Sequence, residues 1–216
     1  MLVYIAVPTT GWIRHELAQC LRQISHDSRY DLLFPESNPL TRPSPCARHW
    51  IINGFLDCGA DYLLMMDSDA VPYSNPLDLV EFDLDIIAMA CPVWSPGAIP
   101  PIVLNARPLD DSKRIIDSRS DGPLLEVAQV STSVILVARR VLEHPDMKNP
   151  FAFQYGEDGI ITVDDDVTFY RKARAAGFKV WVSLEHVCGH MKEIDIVYVH
   201  SAVKEWRQDA LDHEGR

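Results

Sequence analysis

Apolar runs and helical spacings alternate along the first third of the chain. Leu2 to Val7 is a continuous apolar run stopped by Pro8, Thr9, Thr10 and Gly11, the pattern of a buried strand closed by a turn. From Trp12 to Ile24 the apolar positions Ile13, Leu17, Leu21 and Ile24 recur at helical spacing, so a helix follows. Tyr30 to Phe34 reads as a second strand, closed by Pro35. The segment RPSPCARHWIINGFLDCGA opens with turn residues and becomes helical through Ala47, Ile51, Ile52 and Phe55, with Gly59 as its cap. Tyr62 to Met66 is then a strongly apolar strand that runs straight into Asp67-Ser68-Asp69.

Strand, helix, strand, helix, strand predicts an α/β domain on a parallel sheet with helices on both faces. Ligands bind such sheets beyond the carboxyl ends of the strands, and Thr9 and Asp67 both lie at such ends. Further on, Leu77 to Val80 predicts a short helix and Asp85 to Cys91 a buried strand. Pro92 to Gly122 is a proline-rich excursion with room for a hairpin. Glu126 to Val137 reads as one strand, Arg139 to Glu143 as a short helix, and Asn149 to Val163 as a loop. Asp166 to Ala176 is a helix that Gly177 ends, and Lys179 to Val182 is a final strand. The tail after Glu193 predicts a strand and an amphipathic helix. With 216 residues, no repeat and no long linker, the chain suits one domain over 1–192 and a C-terminal extension, 193–216, packed on it.

Charge and cysteine content narrow the partners. A net charge of −11 disfavours nucleic-acid phosphate, duplex DNA above all. Part of the excess is concentrated in Asp67/Asp69 and Asp164/Asp165/Asp166, where a bound divalent cation would offset repulsion. Five cysteines without a CxxC pair read as reduced thiols of a cytoplasmic protein. The N-terminus lacks a basic leader and a cleavage site. No run approaches the roughly 18 to 20 apolar residues of a membrane span, so no transmembrane segment is expected.

Three clusters carry candidate chemistry. In an extended segment Asp67 and Asp69 would point to opposite faces, but a turn at the strand end brings both toward one cation. Mg²⁺ and Mn²⁺ take hard oxygen ligands, often one or two carboxylates together with substrate phosphates. In DDDVTFYRKARAAGFKVWV three acids open a helix; capping explains one or two of them, and another facing a pocket would serve as general base. In Cys188-Gly189-His190-Met191-Lys192, His190 would complete the cation's ligands and Lys192 would face a phosphate, with His186 a competing candidate. Trp12, Trp50, Trp181 and Trp206 read as packing residues, and Trp94 as the one near a sugar. Arg171, Lys172 and Arg174 read as a solvated helix face.

The order of these features resembles the nucleotide-diphospho-sugar glycosyltransferases of GT-A fold. ARHWIINGFLDCGADYLLMMDSDAVP is similar to their Arg-bearing helix, strand and DxD motif. VDDDVTFYRKARAAGFKVWVSLEHVCGH is similar to their acidic pair, helix, AGF or AGY turn and late metal-binding His. The resemblance runs from Tyr4 to about Lys192. It implies a Rossmann-like, mainly parallel sheet with a small acceptor-side subregion, and a donor such as a UDP- or GDP-sugar. By position, Asp67, Asp69 and His190 match metal ligands, and the cation implied is Mn²⁺ or Mg²⁺. Pro8, Thr9, Arg48, Ser68 and Lys192 fall on the nucleotide-sugar side, and Trp94 on the acceptor side. Asp166 matches the catalytic base and Asp165 its neighbour by the acceptor hydroxyl. The pair is Asp-Asp where relatives have Glu-Asp, and Asp164 precedes it, which leaves open which of the three is the base. Ser131-Thr132-Ser133 stands where relatives often carry a Gly-rich acceptor turn. Two rivals are a non-catalytic sugar- or nucleotide-binding module and a DxD phosphohydrolase. In the second, the motif usually follows the first strand, whereas here two units precede it.

Overall fold

Three five-residue segments, YLLMM, IIAMA and VILVA, have every side chain buried, as central strands covered on both faces require. The structure is a computed structural model that describes residues 1–9, 11–36, 44–95, 102–110, 116 and 118–214. Thr10, the Arg42-Pro43 opening of the second helical segment and the middle of the Pro92–Gly122 excursion lie outside the described residues.

The first half contains β1 (Leu2–Ala6), α1 (His15–Ile24), β2 (Asp31–Leu33), α2 (Ser44–Cys58), β3 (Tyr62–Met66) and β4 (Ala70–Pro72). A 3-10 segment, Pro76–Phe82, leads to β5 (Ile86–Ala90). Two hairpin strands follow, β6 (Pro92–Trp94) and β7 (Ile102–Leu104), then β8 (Ala106–Pro108) and α3 (Ser118–Asp121). Next are β9 (Leu124–Val130), β10 (Val134–Ala138) and α4 (Arg139–Leu142). The chain closes with β11 (Gln154–Tyr155), β12 (Ile161–Val163), α5 (Asp165–Ala175), β13 (Val180–His190) and α6 (Ile196–Glu214).

The main sheet has nine strands in the order β2-β1-β3-β10-β5-β13-β9-β8, with β4 pairing β13 off this path. Strands β2, β1, β3, β5, β13 and β8 run one way, and β10 and β9 run against their neighbours. The expected α/β class with a mainly parallel central sheet is therefore the one observed.

Several expectations are corrected. The single strand over Glu126 to Val137 is two strands, because buried Ser131, Thr132 and Ser133 interrupt the ladder. Its first half pairs β13 and β8, while its second half lies between β3 and β5. The first helix begins at His15, not Trp12, because the Arg14 amide is drawn off to the Ser68 carbonyl at 3.0 Å, and Trp12 is left 84% exposed instead of packed. The last sheet strand runs on to His190, past a register shift between Ser183 and Val187. Asn149 to Val163 contains the β11–β12 hairpin, and in the tail α6 forms without a strand before it. Among the described residues no helix is long and apolar enough to cross a membrane.

Close packing of α2 over β1 depends on Gly54, where a Cβ would stand 2.8 Å from the hydroxyl of buried Tyr4. Gly54→Ala should lower stability by about 1–3 kcal/mol in chemical denaturation. Adding Tyr4→Phe removes the offending oxygen and should recover most of that loss; additive losses would show that the contact is not the cause.

Candidate functional site

The site forms where β3 ends. The Asp67 amide donates to the Ser133 carbonyl at 2.8 Å and the Ala70 amide donates to the Asp67 carbonyl at 3.0 Å, so Asp67-Ser68-Asp69 is a tight turn between β3 and β4. Antiparallel pairing sets Ala70 opposite His190, and the Met191 amide donates to the Asp69 carbonyl at 2.9 Å. The end of β13 is thereby laid beside the turn. Lys192 Nζ reaches Asp69 Oδ2 at 2.5 Å and His190 Nε2 stands 3.5 Å from the same oxygen. The β4–β13 pairing thus joins residues more than a hundred positions apart.

The two carboxylates of this turn are driven in opposite directions. The His190 imidazole and then the Lys192 ammonium hold the Asp69 carboxyl well below its usual range, and Asp69 in turn raises His190. Burial pushes Asp67 up, against the pull of Arg48.

Arg48, on α2, is the centre of a second cluster. Only 6% of it is exposed. Its guanidinium donates to Asp165 Oδ2 at 2.6 Å and to Thr132 Oγ1 at 2.8 Å, and stands 3.6 Å from Asp67 Oδ1. The cation also lies over the Phe151 ring at 5.0 Å, and Phe151 stacks on Phe169 at 4.6 Å. Ser44 donates to Asp165 Oδ2 at 2.9 Å. One buried charge therefore joins α2, the start of α5, the end of β3 and the Ser-Thr-Ser link.

The three adjacent acids have three environments. Asp164 is exposed at the N-cap position, with no side-chain cap bond. Asp165 is buried and held by Arg48 and Ser44. Asp166 is half-buried; its Oδ1 accepts the Val167 amide at 2.7 Å, and burial raises its pKa above the ordinary carboxylate value.

The remaining candidates are more dispersed. Thr9 donates from its hydroxyl to the Trp12 carbonyl and accepts from the Gly11 amide, which shapes the loop after β1 beside half-buried Pro8. Ser68 anchors that loop through the Arg14 amide. Arg48, expected on the nucleotide side, is engaged by protein groups. Trp94 meets the Tyr198 ring of α6 edge-on at 6.1 Å. His186 is bonded to Ser183 at 2.8 Å and lies 3.9 Å from Asp78, away from the Asp67 turn's partners. Lys172, expected on a solvated face, donates to the Lys148 and Asn149 carbonyls. Thr132 was not expected as an Arg48 partner; its signal was a polar triplet inside an apolar run.

The donor set suits a hard divalent cation in kind, with two carboxylates, an imidazole and a neighbouring cationic side chain. Among the described residues no three His, Cys, Asp or Glu side chains form a ready cage.

No protein-family model matches the chain, and no curated protein matches it. Solved structures do. A197 from STIV is 17% identical with a TM-score of 0.58, over 89% of this chain and 87% of that one. At that identity the likeness shows a shared fold. Looser likenesses include two glycosyltransferases. GalNAc-T7 with UDP, GalNAc and Mn²⁺ is 10% identical with a TM-score of 0.47, over 90% of this chain and 44% of that one. The catalytic domain of Drosophila beta1,4-galactosyltransferase 7 with xylobiose is 17% identical with a TM-score of 0.48, over 89% and 71%.

Removing the guanidinium with Arg48→Leu leaves buried Asp165 without its ion-pair partner and should cost about 3–5 kcal/mol in denaturant unfolding. Adding Asp165→Asn should restore a large part of that loss. If the double variant is no more stable than the single one, Asp165 is not the group that Arg48 holds.

Proposed function

We propose that the chain is a GT-A-type glycosyltransferase that moves a sugar from a nucleoside-diphosphate donor, a UDP- or GDP-sugar, to a hydroxyl acceptor. The observation that carries this reading is the meeting at one sheet edge of the Asp67–Asp69 turn, His190 and Lys192, tied through Arg48 to the acidic start of α5. Asp67, Asp69 and His190 would hold Mn²⁺ or Mg²⁺. Bound there, the cation would offset the charge of the diphosphate and make it a better leaving group.

The chain's own residues supply the rest. Lys192, at 2.5 Å from Asp69, is free to exchange that carboxylate for a phosphate oxygen once a cation takes the acid. Pro8, Thr9 and Ser68 line the nucleoside side and Trp94 the acceptor side. Asp165 is buried and held at Oδ2 by both Arg48 and Ser44, which suits it to fixing the start of α5. Asp166 is the acid assigned as base, since its raised pKa brings it nearer the working range of a proton acceptor. Asp166 takes the acceptor hydroxyl's proton as the acceptor oxygen bonds to the anomeric carbon. The bond from that carbon to the diphosphate breaks, and its electron pair leaves with the nucleoside diphosphate. A single in-line displacement of this kind inverts the anomeric centre.

The same reading takes 1–192 as the catalytic domain and 193–216 as an extension, supported by the contact of Tyr198 with Trp94. Cytoplasmic residence is consistent with five free cysteines.

Screening UDP- and GDP-sugars should find one whose hydrolysis or transfer needs Mn²⁺ or Mg²⁺ and whose binding raises the melting temperature. Asp69→Asn should abolish the metal dependence. Asp166→Asn should keep donor stabilisation and lower kcat by about 10²–10⁴. The acid limb of the wild-type rate profile should lie above the ordinary carboxylate value of about 4, because activity is lost as pH falls through the raised pKa. Full turnover by Asp166→Asn would remove it from the base role.

A further inference from the structure

Tyr170 is one of the largest fully buried side chains, at 1% exposure, and among the described residues its hydroxyl has no hydrogen-bond partner. A buried donor left unpaired is costly, and phenylalanine would fill the same space without that cost. The ring cannot carry the hydroxyl to water, since Phe169 packs edge-on against it at 5.1 Å and Phe169 is itself stacked on Phe151. Its position on α5 shows what the hydroxyl faces. Tyr170 is four residues after Asp166, so the two share one face of the helix. A long helical side chain leans back over the preceding turn, which here carries Asp166.

The charged groups that act on Tyr170 are Asp166, Arg48 and Asp67. Arg48 is a donor only, so it offers a hydroxyl proton nothing. Asp166 Oδ1 already accepts the Val167 amide, which leaves Oδ2 as the carboxylate's second acceptor.

Resting on the assignment of Asp166 as the base, we propose that Tyr170 is a positioning residue whose hydroxyl donates to the Asp166 carboxylate in the working site and aims it at the acceptor. Arg48 from α2, Asp165 at the start of α5 and Asp164 just before it also act electrostatically on Asp166, and Asp67 at the end of β3 acts on Tyr170. A hydrogen bond to the charged form lowers the pKa of a carboxylate. Tyr170 therefore works against burial and the two neighbouring acids, keeping Asp166 ionised at higher proton concentration.

The test is Tyr170→Phe, read by two methods. In ¹³C NMR titration of aspartate-labelled protein, the Asp166 carboxyl should titrate about one pH unit higher in the variant, with a melting temperature no lower than wild type. In the metal-dependent turnover assay, kcat should fall roughly tenfold with donor KM unchanged, and the acid limb should move up with it. An unmoved Asp166 titration overturns the proposal, as does a loss of kcat without any shift of the acid limb. A wild-type protein with no sugar turnover would refute the proposed function, and the NMR titration would still decide whether Tyr170 bonds Asp166.

Discussion

A single buried guanidinium organises this molecule. Arg48 is removed from water, and a charge in that position persists only with close acceptors around it. Those acceptors come from three other parts of the chain: Asp165 at the start of α5, Thr132 between β9 and β10, and Asp67 at the end of β3. Moving any of these elements breaks the charge's solvation shell. The ion pair therefore sets the distance between the two acidic clusters, which the backbone of the sheet alone would leave free.

The consequence is a division of labour among carboxylates that look alike in sequence. Asp165 is buried and held at Oδ2 by Arg48 and Ser44. Asp69 is held ionised by His190 and Lys192. Asp67 and Asp166 are the two whose ionisation burial disfavours. An incoming cation would relieve the first of these, and a proton the second. Much of the net charge of −11 is spread elsewhere, so the chemistry rests on local pairing and not on overall acidity.

Elements whose signal is local were readable from the chain. YLLMM is apolar throughout and ends in aspartate, and its strand has the expected limits; Gly59 and Gly177 both adopt positive φ at helix ends, as expected of caps. Two of the misreadings share one cause, the dependence of local structure on distant partners. Trp12 and Ile13 continue a helical pattern, yet the Ser68 carbonyl captures the Arg14 amide and the helix starts later. The run from Glu126 to Val137 reads as one strand, yet it breaks at buried Ser131-Thr132-Ser133 and its halves take places beside β13 and between β3 and β5. For the site, His190 and Lys192 were legible as residue types following a strand. Their approach to Asp69 depends on β4, a three-residue strand too short to announce itself. Thr132 stood out only as part of a polar triplet inside an apolar run, and nothing in the sequence pointed from it to Arg48.

The proposed function requires the β3–β4 turn and the end of β13, paired with β4, to bind a divalent cation and a diphosphate together. A crystal grown with MnCl₂ and a nucleoside diphosphate tests it most directly, by anomalous scattering. The account predicts one manganese peak between Asp67, Asp69 and His190, bridged to the diphosphate, with Lys192 turned from Asp69 to a phosphate oxygen. Manganese and nucleotide bound at another surface, with the Lys192–Asp69 pair intact, would contradict it.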